Sequence, residues 1–396
     1  MPVPSPFHPR TGPLCTSYSW KDWAGYHAVC RYDHSNEHEY FAFREAAGVI
    51  DVTPLFKYDI TGPDAAALLS RVTVRDIGKL SIGRVVYCCW CDDDGKIVDD
   101  GTVTRLAEDH YRLTAADPTY HWLARLGRRM NAEIRDTSTE IAALALQGPT
   151  SRDILQQCTD SDLGALEFFG AMPARMDGLD AWITRTGYTG DLGFEIWVSS
   201  DDAIRLWDLL ADAGQAYGLE PAGLDALDLT RVEAGFIMLG VDYFSAPKVV
   251  LESRKSTPYE LGLGWTVQLD RGPFVGQASL RREKEQGSVW QFVGLELDWP
   301  DLERLYDAYG LPPHLPAGAD RTPLPVFSGA RQIGQATSHA WSPIMKKPFA
   351  LASVKSRFAT LGTRLEIEHT VEFSRHKVSA TVVPTPFFNP QRKRNP

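Results

Sequence analysis

The chain has no apolar run approaching the roughly 20 residues that cross a bilayer. Its opening, Met1-Pro-Val-Pro-Ser-Pro6, has neither the basic stretch nor the apolar stretch of a signal peptide. No membrane role is expected, and the reducing cytoplasm is the expected setting. Positive charge is in deficit: 41 Lys and Arg against 51 Asp and Glu leave a net charge of −10. An acidic surface repels a phosphate backbone, so nucleic acid is not expected as a partner. The one basic run, Arg392-Lys393-Arg394, reads as a solvated tail. Cysteine is sparse, six in 396 residues, and clustered in a way that does not suit a secreted disulfide framework. Cys88-Cys-Trp-Cys91 has no second C-x-x-C or H-x-H to complete a zinc site, and it lies on a strand rather than at the helix start a redox pair favours. Core packing is the expected role of these cysteines, and no metal is expected. His34, His38 and His339 have no metal-ligand spacing, and Asp92-Asp-Asp-Gly95 has its glycine too early for a calcium loop. No G-x-S-x-G, Walker or Rossmann fingerprint occurs.

What is present is ordinary globular composition, 43% hydrophobic and 23% charged, in a chain long enough for two or three domains. Residues 1–30 read as an irregular arm. Glu39 to Ala47 reads as a helix closed by Gly48, followed by a strand Val49–Val52. Tyr58–Gly62 is a strand, and Pro63 opens a helix. Val85–Trp90 and Ile97–Thr104 flank a Gly95 turn and form a hairpin. Tyr111–Thr114 is a further strand and Thr119–Met130 a helix. From Ile141 the pattern restarts: strand, Gln147-Gly-Pro149, helix, and a strand near 181–184. An amphipathic helix spans 201–217, and Leu224–Ala234 is a helix ended by Gly235. Residues 302–318 read as a loop with one helical turn. The last hundred residues are β-rich and form a separate all-β unit.

Two segments carry candidate chemistry. Tyr87 ends one hairpin strand, and Asp99 and Asp100 begin the other. Side chains alternate on a strand, so only one of the two acids can share a face with Tyr87. The acids either lie on a solvent-facing edge or are buried at a cost that implies a role. Arg185-Thr-Gly-Tyr-Thr-Gly190, followed by Asp191-Leu-Gly-Phe-Glu195, brackets Tyr188 with glycines and sets Glu195 within an apolar strand. That carboxylate can meet an internal cation, Arg185 or Arg231, or it can accept the paired N–H donors of a planar ligand.

Taken in order, the motifs resemble the aminomethyltransferase (glycine cleavage T-protein) family from about residue 37 to about residue 383. They are Glu39-Tyr-Phe-Ala-Phe-Arg44 with Ala47-Gly-Val-Ile-Asp-Val52, Asp59-Ile-Thr-Gly62, Tyr87 with Gly95-Lys-Ile-Val-Asp-Asp100, and Ala145-Leu-Gln-Gly-Pro149. The segment Arg185–Glu195 follows, then Asp228-Leu-Thr-Arg-Val-Glu-Ala-Gly235, Gly264-Trp265, Pro273-Phe-Val-Gly276, and Gly334-Gln-Ala-Thr-Ser338 with Ser342-Pro343. The resemblance implies an α+β fold: a three-domain cloverleaf around a central channel for tetrahydrofolate, with a C-terminal all-β barrel. Its domains would be 1–50 plus 140–280, then 51–139 inserted, then 281–396. It implies Asp100 and Tyr87 as catalytic residues, and Glu195, Tyr188, Trp265 and Arg231 as cofactor-binding residues. Glu195 would grip the pterin amide edge, and Asp100 would act on the folate amines.

The sequence departs from the family at Leu227, where the pattern has Arg, and at Thr53-Pro-Leu55, where it has Ser-His-Met. These changes favour a small methylated donor and a demethylating transfer to folate. The alternative is an aminomethyl group on a lipoyl carrier protein, as in glycine cleavage. A third reading is a non-catalytic folate-binding protein of iron–sulfur assembly. It meets Pro273 where that group's hallmark has Cys.

Overall fold

A computed structural model describes residues 1–314, 316 and 318–395. The α+β class and the terminal barrel are as expected. Strands gather into three main systems, and the strands of the second lie in the chain between the first strand of the first system and its remaining five.

The first is a six-stranded sheet in the order Ala171–Met176, Leu179–Thr184, Gly193–Ser199, Ile141–Gln147, Ala47–Asp51 and Leu219–Pro221. Its centre is Ile141-Ala-Ala-Leu-Ala-Leu-Gln147, apolar on both faces as a strand covered on both sides must be. Ala142, Leu144 and Leu146 pack with Phe194, Ile196 and Val198 under the helix Ala203–Gly214. Ala143 and Ala145 face the other way with Trp197, against the helix Leu224–Glu233. Alternation therefore puts Glu195 on the second face, opposite Thr184 on one neighbouring strand and Ala145 on the other.

The second is an antiparallel five-stranded sheet in the order Val85–Cys91, Ile97–Ala107, His110–Ala115, Phe56–Thr61 and Glu133–Asp136. Cys88 and Trp90 pack on one face; Cys89 and Cys91 pack on the other, beside Tyr87. Cross-strand register pairs Cys89 with Asp100 and Trp90 with Asp99. Asp100 thus shares the Tyr87 face, and Asp99 points the opposite way. Gly101 follows because a Cβ there would sit 1.9 Å from the Thr114 carbonyl oxygen. The third system is a closed barrel in the order Trp290–Leu297, Lys347–Lys355, Arg331–Ser342, Leu324–Ser328, Arg364–Val371 and Ser374–Val383.

Several expectations are corrected. The first 30 residues are not irregular: a helix His8–Leu14 precedes a hairpin of Ser19–Trp23 and Tyr26–Arg31. Its two-residue turn, Ala24-Gly25, has positive φ at both positions and was hidden because alanine occupies one of them. The helix expected to 47 ends at Glu45, and Gly48 is not its cap. It lies in the strand, where a Cβ would meet the Phe43 ring at 2.6 Å. The stretch 302–318 contains the end of a nine-residue helix, Trp299–Asp307, capped by Asp298; residues 315 and 317 lie outside the described part.

The basic tail is not solvated. Arg392 donates to both oxygens of Asp191 (2.7 and 2.8 Å) and to the Arg44 carbonyl, and Lys393 is buried. The Arg185 guanidinium reaches back to the Lys393 and Asn395 carbonyls. Salt-bridge partners far away in sequence give such a tail its order, and no local pattern reveals them.

The helices packed on the first sheet and the barrel meet at Glu233. It accepts from Arg44 Nε (2.9 Å) and Nη2 (2.5 Å), from Tyr40 Oη (2.6 Å) and from Ser342 Oγ (2.5 Å), joining two helices to the barrel. Both ionised side chains are fully buried. Removing one member of such a pair strands the other charge in a low-dielectric interior. Arg44→Ala is therefore expected to cost about 3–5 kcal/mol, read as a lowered midpoint in chemical denaturation. A loss below about 1 kcal/mol would show that the pair behaves like a surface contact.

Candidate functional site

Asp100 is held by two phenols. Tyr87 Oη donates to its Oδ2 at 2.7 Å, and Tyr243 Oη donates to its Oδ1. Neighbouring Asp99 is fully buried, yet it is satisfied by the backbone N–H groups of Asp100 (2.8 Å), Ala116 (3.1 Å) and Asp117 (2.9 Å). The solvent-edge reading of the acid pair is thus excluded. Asp99 braces the strand end, while Asp100 keeps a partly open surface on the Tyr87 side. Burial raises the Asp100 carboxyl above the usual range, and the bonds from Tyr243 and Tyr87 pull it back. Burial beside Asp100 likewise drives both phenols upward, so they remain donors. No cation pairs with Asp100 among the described residues.

Trp265 stacks on Tyr87, with ring centroids 6.2 Å apart and planes 24° apart, and is 65% exposed. An exposed indole therefore stands beside the phenol that holds the acid.

Glu195 is partly buried, and neither Arg185 nor Arg231 pairs with it. Thr186 Oγ1 donates to its Oε2 at 3.0 Å and Thr184 Oγ1 at 3.5 Å, leaving Oε1 without a protein donor among the described residues. The internal salt-bridge reading fails. Burial lifts this carboxyl to about 6 against the opposing pull of the two threonines.

The turn before Glu195 is built around Gln147. Its amide donates to the Thr186 and Phe194 carbonyls (3.1 and 3.3 Å), and its oxygen accepts from Thr189 Oγ1 (3.0 Å). A Cβ at Gly187 or Gly193 would fall within 1.8 or 2.3 Å of that same side chain. The glycines make room for the glutamine, and the glutamine fixes Tyr188. Tyr188 donates to the Ile237 carbonyl and stacks on Phe236 at 5.6 Å. Burial pushes the Tyr188 phenol up, with the charge of Asp100 adding to the rise and that of Arg231 opposing it.

Arg231 is held by the protein itself. Its Nε donates to Asp228 (2.7 Å), Nη1 to Asp242 (2.6 Å) and to the Phe236 carbonyl (3.1 Å), and Nη2 to Ser338 (2.7 Å). Every guanidinium nitrogen is committed and the side chain is fully buried, so Arg231 orients Phe236 and Tyr188 rather than offering donors to a ligand. Leu227 packs in the apolar core beside that helix.

No sequence pattern marks Tyr243, which follows Asp242 in a loop without motif, or Thr184 and Thr186 as supports of Glu195. Lys393 was also missed. Its ammonium lies 4.8 Å from the Phe236 ring centre, behind the ring on which Tyr188 stacks.

One carboxylate with an oxygen left without a protein donor, a second acid held by phenols, and the rings of Tyr87, Tyr188 and Trp265 suit a planar ligand bearing N–H donors and reactive amines. Comparison with known proteins agrees. A family model described as the GCVT N-terminal domain matches residues 14–271, and one described as the glycine cleavage T-protein C-terminal barrel domain matches 314–389. The aminomethyltransferase of Bacillus cereus (strain AH187) is 35% identical over 375 residues, covering 93% of each chain, and that of Bacillus anthracis (strain CDC 684 / NRRL 3495) matches equally. The crystal structure of glycine cleavage system aminomethyltransferase T from Bartonella henselae has the same fold. It superposes with a TM-score of 0.81 at 23% identity, over 98% of this chain and 99% of that one. The chain belongs to the aminomethyltransferase (glycine cleavage T-protein) family and is, with that family, a folate-dependent one-carbon transferase.

Proposed function

We propose that the protein moves a one-carbon unit from a small methylated donor to tetrahydrofolate, held in the space between Glu195 and Asp100. The observation that carries this reading is Oε1 of Glu195, which has no protein donor among the described residues while Oε2 accepts from two threonines. The residues fit the group: a carboxylate edge for an N–H pair, Tyr188 for a ring wall, Trp265 at the open side, and an acid for the amines. Bound folate supplies the nitrogen that accepts the carbon. The division into 1–50 plus 140–280, 51–139 and 281–396 is part of the same proposal, as is the cytoplasm as its place of action.

Asp100 does the chemistry available to a single acid. Tyr87 and Tyr243 fix both oxygens, so its negative charge is oriented before reaction and stabilises positive charge developing on a nearby amine. It also accepts a proton from that amine. Holding the two reactants together supplies the remaining rate through proximity. Leu227 supports the methylated donor, because it withholds a charge at a position where the family pattern has one. The second reading is transfer of an aminomethyl group from a lipoyl carrier protein, and the names of the Bacillus relatives favour it. Incubating the protein with tetrahydrofolate and either a panel of methylated donors or an aminomethyl-lipoyl carrier, then weighing the folate product, separates the two. A gain of a methyl group identifies the first, and a methylene bridge the second. No folate product from any donor overturns both.

Asp100→Asn is expected to abolish turnover while folate binding, followed by tryptophan fluorescence, persists. Wild-type turnover in that variant would remove Asp100 from the mechanism. The hydrogen bond from Tyr243 favours the ionised acid, so Tyr243→Phe should move the acid limb of the rate profile to higher pH. An unmoved limb would mean that the phenol does not tune the acid. Glu195 accepts through both oxygens, with a full charge, only when ionised. Because its folded-state carboxyl titrates at about 6, folate affinity should weaken about tenfold per pH unit below that value. Glu195→Gln should remove this dependence and cost about 1.5–3 kcal/mol of binding at neutral pH. A pH-independent wild-type affinity would contradict the assignment.

A further inference from the structure

Arg75 lies outside every assignment above, and among the described residues it has neither an anionic partner nor a side-chain hydrogen bond. It is partly buried and sits in the segment just after the helix Ala65–Val72. Its guanidinium carbon lies 5.7 Å from the ring centre of Trp265, the exposed indole that stacks on Tyr87. Among the described residues it makes no ion pair and donates no side-chain hydrogen bond, although its nitrogens are open to solvent. The acid next to it in sequence, Asp76, turns instead to Lys79 at 3.4 Å. Nearby Arg271 is occupied by the Ser70 and Thr73 carbonyls, and by the Phe274 ring at 4.3 Å. The protein thus occupies its neighbouring charges and leaves the Arg75 guanidinium against the exposed Trp265 ring without a protein acceptor among the described residues.

A guanidinium on an aromatic face keeps its in-plane N–H fork free, and that fork matches a carboxylate bidentately. We propose that Arg75, backed by Trp265, is a carboxylate-binding subsite at the mouth of the reaction space. There it selects a small one-carbon donor that carries a carboxylate next to its methylated atom. With Asp100 as the inner acid, the site is polarised: an amine or developing cation is drawn inward and an anionic end is held at the rim. Folate itself carries glutamyl carboxylates, a second source of the same chemistry. The inference deepens the proposed transfer and rests on it for the donor's identity, while its test is one of binding.

Full-length protein is titrated by tryptophan fluorescence and by calorimetry with methoxyacetate, methylthioacetate and N-methylglycine, each against its neutral primary amide. In a second arm, tetrahydrofolate is compared with tetrahydropteroate, which lacks the glutamyl group. In wild type, at least one acid is expected to bind tenfold or more tightly than its amide. In Arg75→Gln the gap should close to about twofold, and Arg75→Lys should restore part of it, since lysine keeps the charge without the fork. If the variant instead loses affinity for tetrahydrofolate but not for tetrahydropteroate, the carboxylate is folate's own and the subsite stands with that source. Unchanged discrimination in Arg75→Gln in both arms overturns the subsite, as does a wild type that never prefers acid to amide or tetrahydrofolate to tetrahydropteroate. A defect confined to reaction with an aminomethyl-lipoyl carrier overturns it too, because the charge would then serve a protein surface. Failure of wild type to bind either folate form sinks the proposed transfer, while the acid–amide comparison still decides the subsite.

Discussion

The buried carboxylate of Glu233 is the constraint on which the rest of the molecule turns. A charge so far from water is tolerable only if surrounded by donors, and the donors it collects come from distant places: Arg44 and Tyr40 from the first long helix, Ser342 from the barrel. Two residues earlier on the same helix, Arg231 makes the complementary knot with Asp228, Asp242 and Ser338. One short helix, Leu224–Glu233, is thus tied by a buried anion and a buried cation on its last turn, and neither can move without breaking several charged bonds. The consequence extends to the site. Arg231 fixes the Phe236 carbonyl and Asp242, the ring of Phe236 backs Tyr188, and Tyr243 beside Asp242 holds Asp100.

Against that background the site is recognisable by what it leaves unsatisfied. Asp99 and Asp191 are as buried as any acid here, and both are met by backbone amides or arginine. Glu195 and Asp100 differ. Hydroxyl groups alone support them, and a neutral donor can orient a carboxylate without neutralising it. Burial then raises both carboxyls, with no nearby cation to cancel the effect. Structural acids are matched by charge or by several amides, whereas these two are oriented by hydroxyls and kept available.

Much of this was legible in the sequence, and the reason differs by element. The apolar runs around Ile141–Gln147 and Phe194–Val198 mark strands, but being apolar on both faces they do not say which face Glu195 takes. The hairpin around Gly95 and the glycine-bracketed Tyr188 carry local turn chemistry that can be read residue by residue. What could not be read depends on long-range partners. Nothing near Arg392 announces Asp191, 201 residues away, so the ordered tail looked solvated. Tyr243 belongs to a loop with no repeat or cap, and its value comes only from a hairpin 143 residues earlier. Arg231 sits in a strong motif, yet the motif does not say whether its fork points at a ligand or at the protein.

The distinction between holding and touching bears on why the family pattern tolerates change where it does. Leu227 and Arg231 occupy one helix, but Leu227 only packs in the apolar core, while Arg231 carries four hydrogen-bonded links across two units. Losing a charge at position 227 removes one possible ligand contact and leaves the frame intact. Losing it at 231 would strand Asp242 and release the backbone that positions Tyr188 and Tyr243 together. Selectivity toward the donor can therefore drift at residues outside this network, such as the core residue Leu227 and the partly exposed Arg75. The acid and its two phenols are held in place by an ion network that has no such freedom.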